Sequence, residues 1–453
     1  MSVHRHRRIP LLAVLLAVLI SGVAGAFGAP AAQAADILPA KVYFHETGHH
    51  LGGDFLTAWQ ANGGLMTFGY PLTEPFVEDG MLVQYFERAR FERHDQFAGT
   101  RYVVQATLLG NWVAERLRHT DPFRPLPPDT GTGGDPHRRF FPETGHSLAY
   151  GFLDYWQRHG GLYVFGYPIS EEFTENGLTV QYFERARFEW HPEYRGTEFE
   201  VLLGRLGADY AASRGVSIAP VAKESDAISA FPGLLDPNWG KAIRTGDGAV
   251  FGAITADVLN IRSAPRLDAP AVGTTYARHP VAIRAIVEGD PVEGIPVWYQ
   301  IGDGRYVAAA WVRPLIPAAP PQTYGGHWVD VNLSNFYAVA YEDSRPVYIA
   351  IITAGRDGKT PVGVFNVQYR VRSETMDSAT IGVKKGQPGY YYLENVQFTQ
   401  YFKDGGYAIH ENYWTPPSAF GGFGSNGCIG LLLPDAEWFW NFLSVGSVVA
   451  IHY

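Results

Sequence analysis

The sequence predicts a multidomain, mainly β protein, and three observations support this fold class. A chain of 453 residues is too long for one hydrophobic core, so about three or four domains are expected. Its 51 Gly, 31 Pro and 14% aromatic residues indicate many short strands joined by turns. A long block of sequence also recurs in the N-terminal half, which indicates duplicated α+β units.

Composition excludes one class of function early. The net charge of −9 is mild and spread along the chain, so no basic surface for nucleic acid is expected. With a single cysteine, the chain forms no internal disulfide, although export would permit one. Stability must therefore come from ordinary hydrophobic cores.

Residues 1–34 have the pattern of a secretory signal peptide. Positions 4–8 are all Arg or His, and an almost wholly apolar run follows over 9–29. Ala32, Gln33 and Ala34 form a small-x-small cleavage pattern, which predicts cleavage before Ala35. Because the apolar run is long, an uncleaved membrane anchor is the alternative. The protein is expected to be secreted, at the cell wall or in the envelope.

A duplicated unit follows, and the boundaries are predicted as repeat 1 at 41–120, a linker at 121–137 and repeat 2 at 138–215. Residues 83–92 match 180–189, an offset of 97 residues. The shared Trp-x-x-x-Gly-Gly, Phe-Gly-Tyr-Pro and Gln-Tyr-Phe motifs resemble the LGFP-type repeats of exported bacterial proteins, which are associated with the cell envelope. The resemblance implies attachment to the cell wall.

Residue spacing predicts the secondary structure of each unit. Helices are expected at 55–59 and 152–156 and a strand over 83–91, and closing helices are expected at 106–117 and 199–212. A hydrolase interpretation would use the acids and bases Glu87, Glu92, His49, Glu184, Glu189 and His146. The alternative is that these charges form surface pairs around an aromatic core. It is favoured because duplicated active sites in tandem are uncommon, whereas duplicated binding modules gain avidity by being linked.

A second irregular linker at 216–250 leads into a domain predicted at 251–316. Short strands are expected at 257–262, 272–274, 281–283, 297–301 and 306–312. The Leu-Asn-Ile-Arg-Ser-x-Pro start and the closing Trp-Val strand resemble a bacterial SH3-like barrel. That resemblance implies either binding of wall components or a rigid spacer.

The last predicted domain, 324–453, contains the residues with chemical potential. Its pattern is again mostly strand, with an aromatic flap or hairpin at 390–402 and one clear helix at 434–443. Cys428, the only cysteine, follows the turn-forming residues Ser425, Asn426 and Gly427, and His410 lies 18 residues upstream. A thiol beside a histidine suggests a nucleophile and its base. The remaining histidines are scattered and there is no second cysteine, so neither a metal site nor a cofactor is expected.

The predicted chemistry follows from these residue types. A free thiol is mostly un-ionised at neutral pH, and His410 would take its proton and hold the thiolate as an ion pair. The backbone N–H groups of Asn426, Gly427 and Cys428 would stabilise a tetrahedral oxyanion. A thioester acyl-enzyme would form and be resolved by an amine or by water.

This domain resembles the L,D-transpeptidase (YkuD-type) catalytic domain. The resemblance is carried by the runs 328–331, 360–363, 407–410 and 425–429 and by the Leu-Pro-x-Asp-Ala helix start. It implies that Cys428 attacks an L-to-D peptide carbonyl of a peptidoglycan stem, that His410 acts as base and then acid, and that a stem-peptide amine accepts the acyl group. The alternatives are an L,D-carboxypeptidase, in which water is the acceptor, and a wall-binding protein with a degenerate catalytic domain.

Three positions depart from the family pattern. The family commonly has Gly where this chain has Glu411, and His where it has Asn426. It usually has Arg or Asn at the position of Gly430. These departures predict altered substrate anchoring, and the Glu411 carboxylate is expected to raise the pKa of His410.

Overall fold

The structure is a computed structural model that describes residues 39–127 and 134–453. The predicted signal peptide at 1–34 lies outside the described residues, as does the part of the first linker at 128–133. Within the described ranges, no helix has the length and apolar character needed to cross a membrane. The predicted multidomain, mainly β fold is confirmed.

The two N-terminal units have the same order of elements. The first consists of β1 (Lys41–Phe44), β2 (His49–Gly52), α1 (Gly53–Ala61), α2 (Gly64–Phe68), β3 (Phe76–Glu78), β4 (Met81–Tyr85), β5 (Arg90–Arg93), β6 (Val104–Ala106) and α3 (Leu109–Leu117). The second consists of β7 (Arg138–Phe141), β8 (His146–Ala149), α4 (Tyr150–Arg158), α5 (Gly161–Phe165), β9 (Phe173–Glu175), β10 (Leu178–Tyr182), β11 (Arg187–Trp190), β12 (Val201–Leu203) and α6 (Leu206–Ser213). Each unit has a four-stranded sheet, with the orders β3-β4-β5-β6 and β12-β11-β10-β9.

The single strand predicted over 83–91 is wrong, because the chain turns back at Phe86. β4 and β5 are antiparallel, with Gln84 opposite Phe91, and the Phe86 N–H donates to the Ala89 carbonyl at 2.8 Å. The turn brings the buried rings of Phe86 and Phe91 to a centroid distance of 4.6 Å. A straight strand would separate these rings, so their packing stabilises the turn.

The closing helices are shorter than predicted. They begin at Leu109 and Leu206, because the residues before them form the strands β6 and β12. These strands bury Val104 and Val201 and complete the two sheets. Their requirement for a sheet partner overrides the local helical spacing.

The two units join through reciprocal contacts. Arg88 Nε donates to the Leu203 carbonyl at 3.1 Å, and Arg185 Nε donates to the Ala106 carbonyl at 3.2 Å. These residues are related by the 97-residue offset, so the interface has pseudo-two-fold symmetry. A Cβ at Gly207 would lie 2.1 Å from the Phe86 carbonyl oxygen, so the close backbone approach requires glycine there.

The predicted second linker packs against its neighbours. Its strand β13 (Ile228–Ser229) pairs in parallel with β1, and Trp239 is buried. The Ser229 N–H donates to the Glu288 carboxylate at 2.6 Å. This segment therefore connects repeat 1 to the domain that follows.

That domain consists of eight short strands. They are β14 (Val250–Ile254), β15 (Val258–Arg262), β16 (Ala271–Tyr276), β17 (Pro280–Ile283), β18 (Ala285–Val292), β19 (Ile295–Gly302), β20 (Arg305–Ala308) and β21 (Val312–Pro314). They form two sheets, β17-β14-β21 and β16-β15-β20-β19-β18. Two strands, β14 and the edge strand β18, were not predicted from the sequence. The residues of β18 are mostly half-buried and give no clear alternation.

The C-terminal domain contains two sheets around one hydrophobic core. Its elements are β22 (His327–Asn332), β23 (Tyr337–Glu342), β24 (Arg345–Ile351), β25 (Thr353–Gly355), β26 (Gly363–Asn366), β27 (Tyr369–Asp377), β28 (Tyr392–Lys403), β29 (Tyr407–Glu411), β30 (Gly422–Ser425), β31 (Ile429–Leu431), α7 (Leu433–Phe442) and β32 (Val448–His452). The sheet orders are β24-β23-β22-β32-β26 and β27-β28-β29-β31-β25-β30. The predicted helix is α7, and the predicted aromatic flap is β28, which forms a long hairpin with β27.

Candidate active site

The six-stranded sheet brings Cys428 and His410 to one cavity. His410 lies on β29, and Cys428 directly precedes β31, which pairs with β29 in parallel with Ile409 opposite Ile429. The cavity has a volume of about 220 Å³, and its lining includes Cys428, His410, Trp414, Tyr391 and Arg356. Larger cavities occur between the repeats and between the last two domains, but this one holds the thiol and the imidazole.

A hydrogen bond determines the tautomer of His410. Its Nδ1 lies 2.6 Å from the backbone carbonyl of Glu411, which only accepts, so Nδ1 must carry the proton. Nε2 is left as the nitrogen that can accept a proton. Burial lowers the pKa of His410 to about 4, so the ring is neutral at neutral pH.

Burial acts on the thiol in the opposite direction. The Cys428 side chain is partly exposed, but the surrounding protein raises the pKa of the thiol to about 11. The Sγ–H donates to the Gly406 carbonyl at 3.3 Å. Burial therefore favours the neutral thiol and the neutral imidazole over the predicted resting ion pair, because it penalises both charges.

Glu411 does not have the predicted effect on His410. Its carboxylate accepts a hydrogen bond from the Gln397 N–H at 3.3 Å, and burial raises the pKa of Glu411 itself. The pKa of His410 is lowered, not raised, because loss of hydration dominates. The contribution of Glu411 to the imidazole is its backbone carbonyl.

The loop before Cys428 is held by hydrogen bonds. Ser425 Oγ donates to the Cys428 carbonyl at 2.7 Å and accepts from the Gly427 N–H at 3.1 Å. The buried Thr360 hydroxyl donates to the Gly427 carbonyl at 3.0 Å. Of the three predicted oxyanion donors, the Gly427 N–H is thus engaged by Ser425, which leaves Asn426 and Cys428 as the predicted donors.

Gly427 is required by the backbone conformation and by space. Its φ is +137°, and a Cβ there would lie 2.6 Å from Cε1 of Tyr407. Tyr407 is the first residue of β29, so the loop packs tightly against the strand of the base. Asn426, next to it, is exposed.

The space beside Gly430 is already filled. Asn412 Nδ2 donates to Thr353 Oγ1 at 2.8 Å, and both residues are buried. A Cβ at position 430 would lie 2.3 Å from Thr353 Oγ1 and 2.7 Å from Asn412 Nδ2. Asn412 therefore occupies the volume that a longer side chain at 430 would need.

Gly430→Ala is expected to lower the free energy of unfolding by about 2 kcal/mol, because the new methyl group overpacks a buried polar pair. Urea unfolding measures the effect. Gly424→Ala in β30 is the matched control, since its Cβ would make only ordinary contacts of 3.6 Å or more. Equal stability of the two variants would contradict the packing argument.

Several residues that line the cavity were not predicted from the sequence. Arg356 donates to the Gly424 carbonyl at 3.2 Å, and the Trp414 ring centroid lies 5.6 Å from that of His410. Trp414 lies four residues after His410, a signal that the sequence offered. Within 39–127 and 134–453, no group of three or more His, Cys, Asp or Glu residues is placed to hold a metal ion.

Each of the acids and bases singled out in the repeats contacts a side chain of opposite type. Glu92 pairs with Arg90 and accepts from Thr107 at 2.6 Å, and Glu189 pairs with Arg187. Glu87 pairs with Arg205 and Glu184 with Arg185. The buried His49 and His146 place Nδ1 at 3.4 Å from Glu74 and 3.2 Å from Glu171. These contacts favour polar pairs around an aromatic core over a hydrolase site.

Comparisons with known proteins identify the last two domains. Residues 326–451 match the family of L,D-transpeptidase catalytic domains (YkuD), and residues 257–313 match the bacterial SH3 domain family. The C-terminal part of this chain is therefore an L,D-transpeptidase catalytic domain preceded by a bacterial SH3 domain. Both predicted resemblances are confirmed, whereas the resemblance of the repeats stays a prediction.

Two curated relatives and two solved structures show the extent of the similarity. Probable L,D-transpeptidase 3 of Mycobacterium tuberculosis is 34% identical over 92 residues, which cover 20% of this chain and 34% of the relative. Putative L,D-transpeptidase YciB of Bacillus subtilis is 26% identical over 150 residues, which cover 31% of this chain and 73% of the relative. This chain thus spans about a third of the length of the first relative.

The solved L,D-transpeptidase from Mycobacterium smegmatis is 20% identical with a TM-score of 0.27, over 35% of this chain and 66% of that one. The crystal structure of L,D-transpeptidase 3 from Mycobacterium tuberculosis is 23% identical, also with a TM-score of 0.27, over 35% of this chain and 68% of that one.

Proposed function

We propose that this protein is an exported peptidoglycan L,D-transpeptidase that forms an acyl-enzyme on Cys428. The observation that carries the proposal is the single thiol at the end of a tightly held loop, in one cavity with a buried histidine whose tautomer leaves Nε2 free to accept a proton. The match to the L,D-transpeptidase family supports peptidoglycan stem peptides as the substrate class.

In the proposed reaction, His410 Nε2 takes the thiol proton as Sγ attacks the carbonyl of the L-to-D peptide bond. The Asn426 and Cys428 N–H groups stabilise the oxyanion that forms. When the intermediate collapses, the C–N bond breaks and the departing D-residue amine takes the proton from His410, leaving a thioester. An amine of a second stem attacks the thioester, His410 takes the amine's proton, and that proton returns to the Cys428 sulfur as the thiolate leaves.

The neutral resting pair fits this sequence of proton transfers. Because burial disfavours a thiolate, the thiol loses its proton only as the carbon–sulfur bond forms, which is general-base catalysis. Ser425 contributes by holding the Cys428 carbonyl and the Gly427 N–H, so the loop keeps its shape during attack.

The proposal is tested with purified full-length protein in two assays. Intact mass after exposure to imipenem, a carbapenem, should increase by one adduct on Cys428. Incubation with disaccharide-peptide fragments of peptidoglycan should give crosslinked dimers. Trimmed monomers alone would indicate an L,D-carboxypeptidase. Neither adduct nor product would indicate a wall-binding protein with a degenerate domain, which is the alternative that Asn426 and Gly430 motivate.

The N-terminal repeats are proposed to hold the enzyme at the cell wall. A cleft of about 430 Å³ lies between the two units, lined among others by Tyr102, Tyr163, Arg101, Gln105 and Asn62. The Arg101 guanidinium lies over both tyrosine rings, at 5.1 and 4.5 Å from their centroids. Aromatic faces beside planar polar side chains suit a sugar ring, which has an apolar face and a rim of hydroxyl groups.

Tyr102→Ala is expected to reduce retention of the full-length protein on purified cell wall several-fold, because it removes the exposed aromatic face of the cleft. Sedimentation with insoluble peptidoglycan measures bound and free protein. Tyr194→Ala is the matched control, since Tyr194 has the same 45% exposure but lies outside the cleft. Equal retention of both variants would remove the cleft from the attachment site.

A further inference from the structure

The turn between β16 and β17 of the SH3 domain reaches onto the catalytic domain. His279 is buried, and its Nε2 lies 3.0 Å from the Pro417 carbonyl. Arg278 donates through Nη1 to the Gly421 carbonyl at 3.2 Å and through Nη2 to the Asn335 carbonyl. The Tyr337 hydroxyl donates back to the Arg278 carbonyl at 2.7 Å. Both domains therefore contribute to one hydrogen-bonded interface.

The conformation of the turn is specific. Arg278 has φ of +70°, a left-handed conformation that few non-glycine residues adopt. The Arg278 N–H donates to the Ile254 carbonyl, and the Ile254 N–H donates to the His279 carbonyl at 3.1 Å. The last residue of β14 therefore holds both ends of the turn. Backbone strain of this kind persists only where surrounding contacts enforce it. Here those contacts include three carbonyl groups of the catalytic domain.

Pro417 and Gly421 belong to the segment 412–427, which connects the strand of His410 to Cys428. At its start, the Thr415 N–H donates to Asn412 Oδ1 at 3.1 Å, and Trp414 lines the cavity. At its end, β30 runs from Gly422 to Ser425, whose hydroxyl holds the Cys428 carbonyl. The contacts of Arg278 and His279 fall between these two ends.

We propose that Arg278 and His279 of the SH3 domain are positioning residues for the active site, because they fix the segment that carries the base-side and nucleophile-side walls of the cavity. The inference rests on the proposed function for its catalytic consequence, but not for its structural one. It makes the SH3 domain a part of the catalytic unit and not only a spacer.

An apolar contact supports a fixed relation between the two domains. Phe251 and Leu315 from the SH3 side belong to one buried cluster with Trp328, Val339 and Ile349 of the catalytic domain. A flexible spacer would leave such side chains exposed to water. The hydrogen bonds of Arg278 and His279 therefore belong to a packed interface between the two domains.

Arg278→Ala in the full-length chain is expected to slow the acylation of Cys428 by imipenem about tenfold, since small displacements of reacting groups have effects of this size or larger. The loss should fall mainly on the maximal acylation rate and little on the half-saturating concentration, because Arg278 does not line the cavity. Arg266→Ala is the matched control, because Arg266 lies in the same domain and its side chain pairs with the exposed Asp268.

Hydrogen exchange separates this inference from the proposed function, because it needs no activity. Amides of 412–427 should exchange faster in Arg278→Ala than in Arg266→Ala, with the rest of the catalytic domain unchanged. Tyr337→Phe, which removes only a hydroxyl, should also give faster exchange and slower acylation, but by a smaller amount. This variant keeps the test valid if Arg278→Ala fails to fold. Exchange equal to that of the Arg266→Ala control would overturn the inference. A wild-type protein that is not acylated, with faster exchange in the variants, would overturn only the proposed function.

Discussion

Cys428→Ala is expected to lower the acylation rate by at least about 1000-fold and to remove the imipenem adduct from the intact mass, because the bond to the acyl group forms at Sγ. Cys428 is the only cysteine in the chain, so any remaining adduct or any labelling by iodoacetamide would have to come from another residue type. Crosslinked muropeptides should disappear together with the adduct.

Cys428→Ser is the control for structure. A serine hydroxyl can still donate to the Gly406 carbonyl, which the thiol contacts, so folding and the shape of the loop should be kept. Unfolding midpoints close to that of the wild type would show that loss of acylation in these variants is chemical. An adduct on the Ala variant would refute the assignment of the nucleophile.

Cys428→Ala is also expected to change how the free energy of unfolding depends on pH. Because the pKa of Cys428 is about 11 in the folded state and about 8.5 in an unfolded chain, the unfolded chain loses its proton first as pH rises. The contribution of the protonated thiol to the free energy of unfolding is therefore fully present below the thiol pKa of the unfolded chain. It decreases as pH rises towards about 11, the thiol pKa of the folded state. This part of the alkaline loss should be absent in Cys428→Ala.

The features that could be predicted from the sequence are those that residue type and short-range spacing determine. Cys428 and His410 stand out by residue type and spacing, and α7 by its proline start and acidic first turn. The protonation states of the pair were not predictable in the same way, because they depend on burial by strands that are distant in sequence. Residue type predicted an ion pair, whereas the folded environment favours a neutral one.

Gly430 and Arg278 show two further limits of a single sequence. The departure at Gly430 suggested a lost anchor, but the structure shows Asn412 and Thr353 in that volume, which a list of motif positions does not contain. Arg278 lies in a turn with no motif, and it matters only because the catalytic domain docks against that turn. Contacts between domains leave no period or spacing in the chain.

His410→Gln is expected to lower the acylation rate at pH 7 by about 1000-fold, because it removes the group that takes the thiol proton. The side-chain amide of glutamine can still donate to the Glu411 carbonyl, so the strand end should keep its geometry. His327→Gln is the matched control, since His327 lies in the same domain on an exposed strand position away from the cavity.

The pH profile distinguishes a base from a structural residue at position 410. In the wild type the neutral pair is the reactive form, so the second-order rate constant for acylation should be nearly constant from about pH 5 to 9, between the pKa of His410 at about 4 and that of Cys428 at about 11. In His410→Gln, reaction needs a thiolate formed by solvent, so the rate should rise about tenfold per pH unit over the same range. A flat, merely scaled-down profile in the variant would show that His410 supports the loop and that another group accepts the proton.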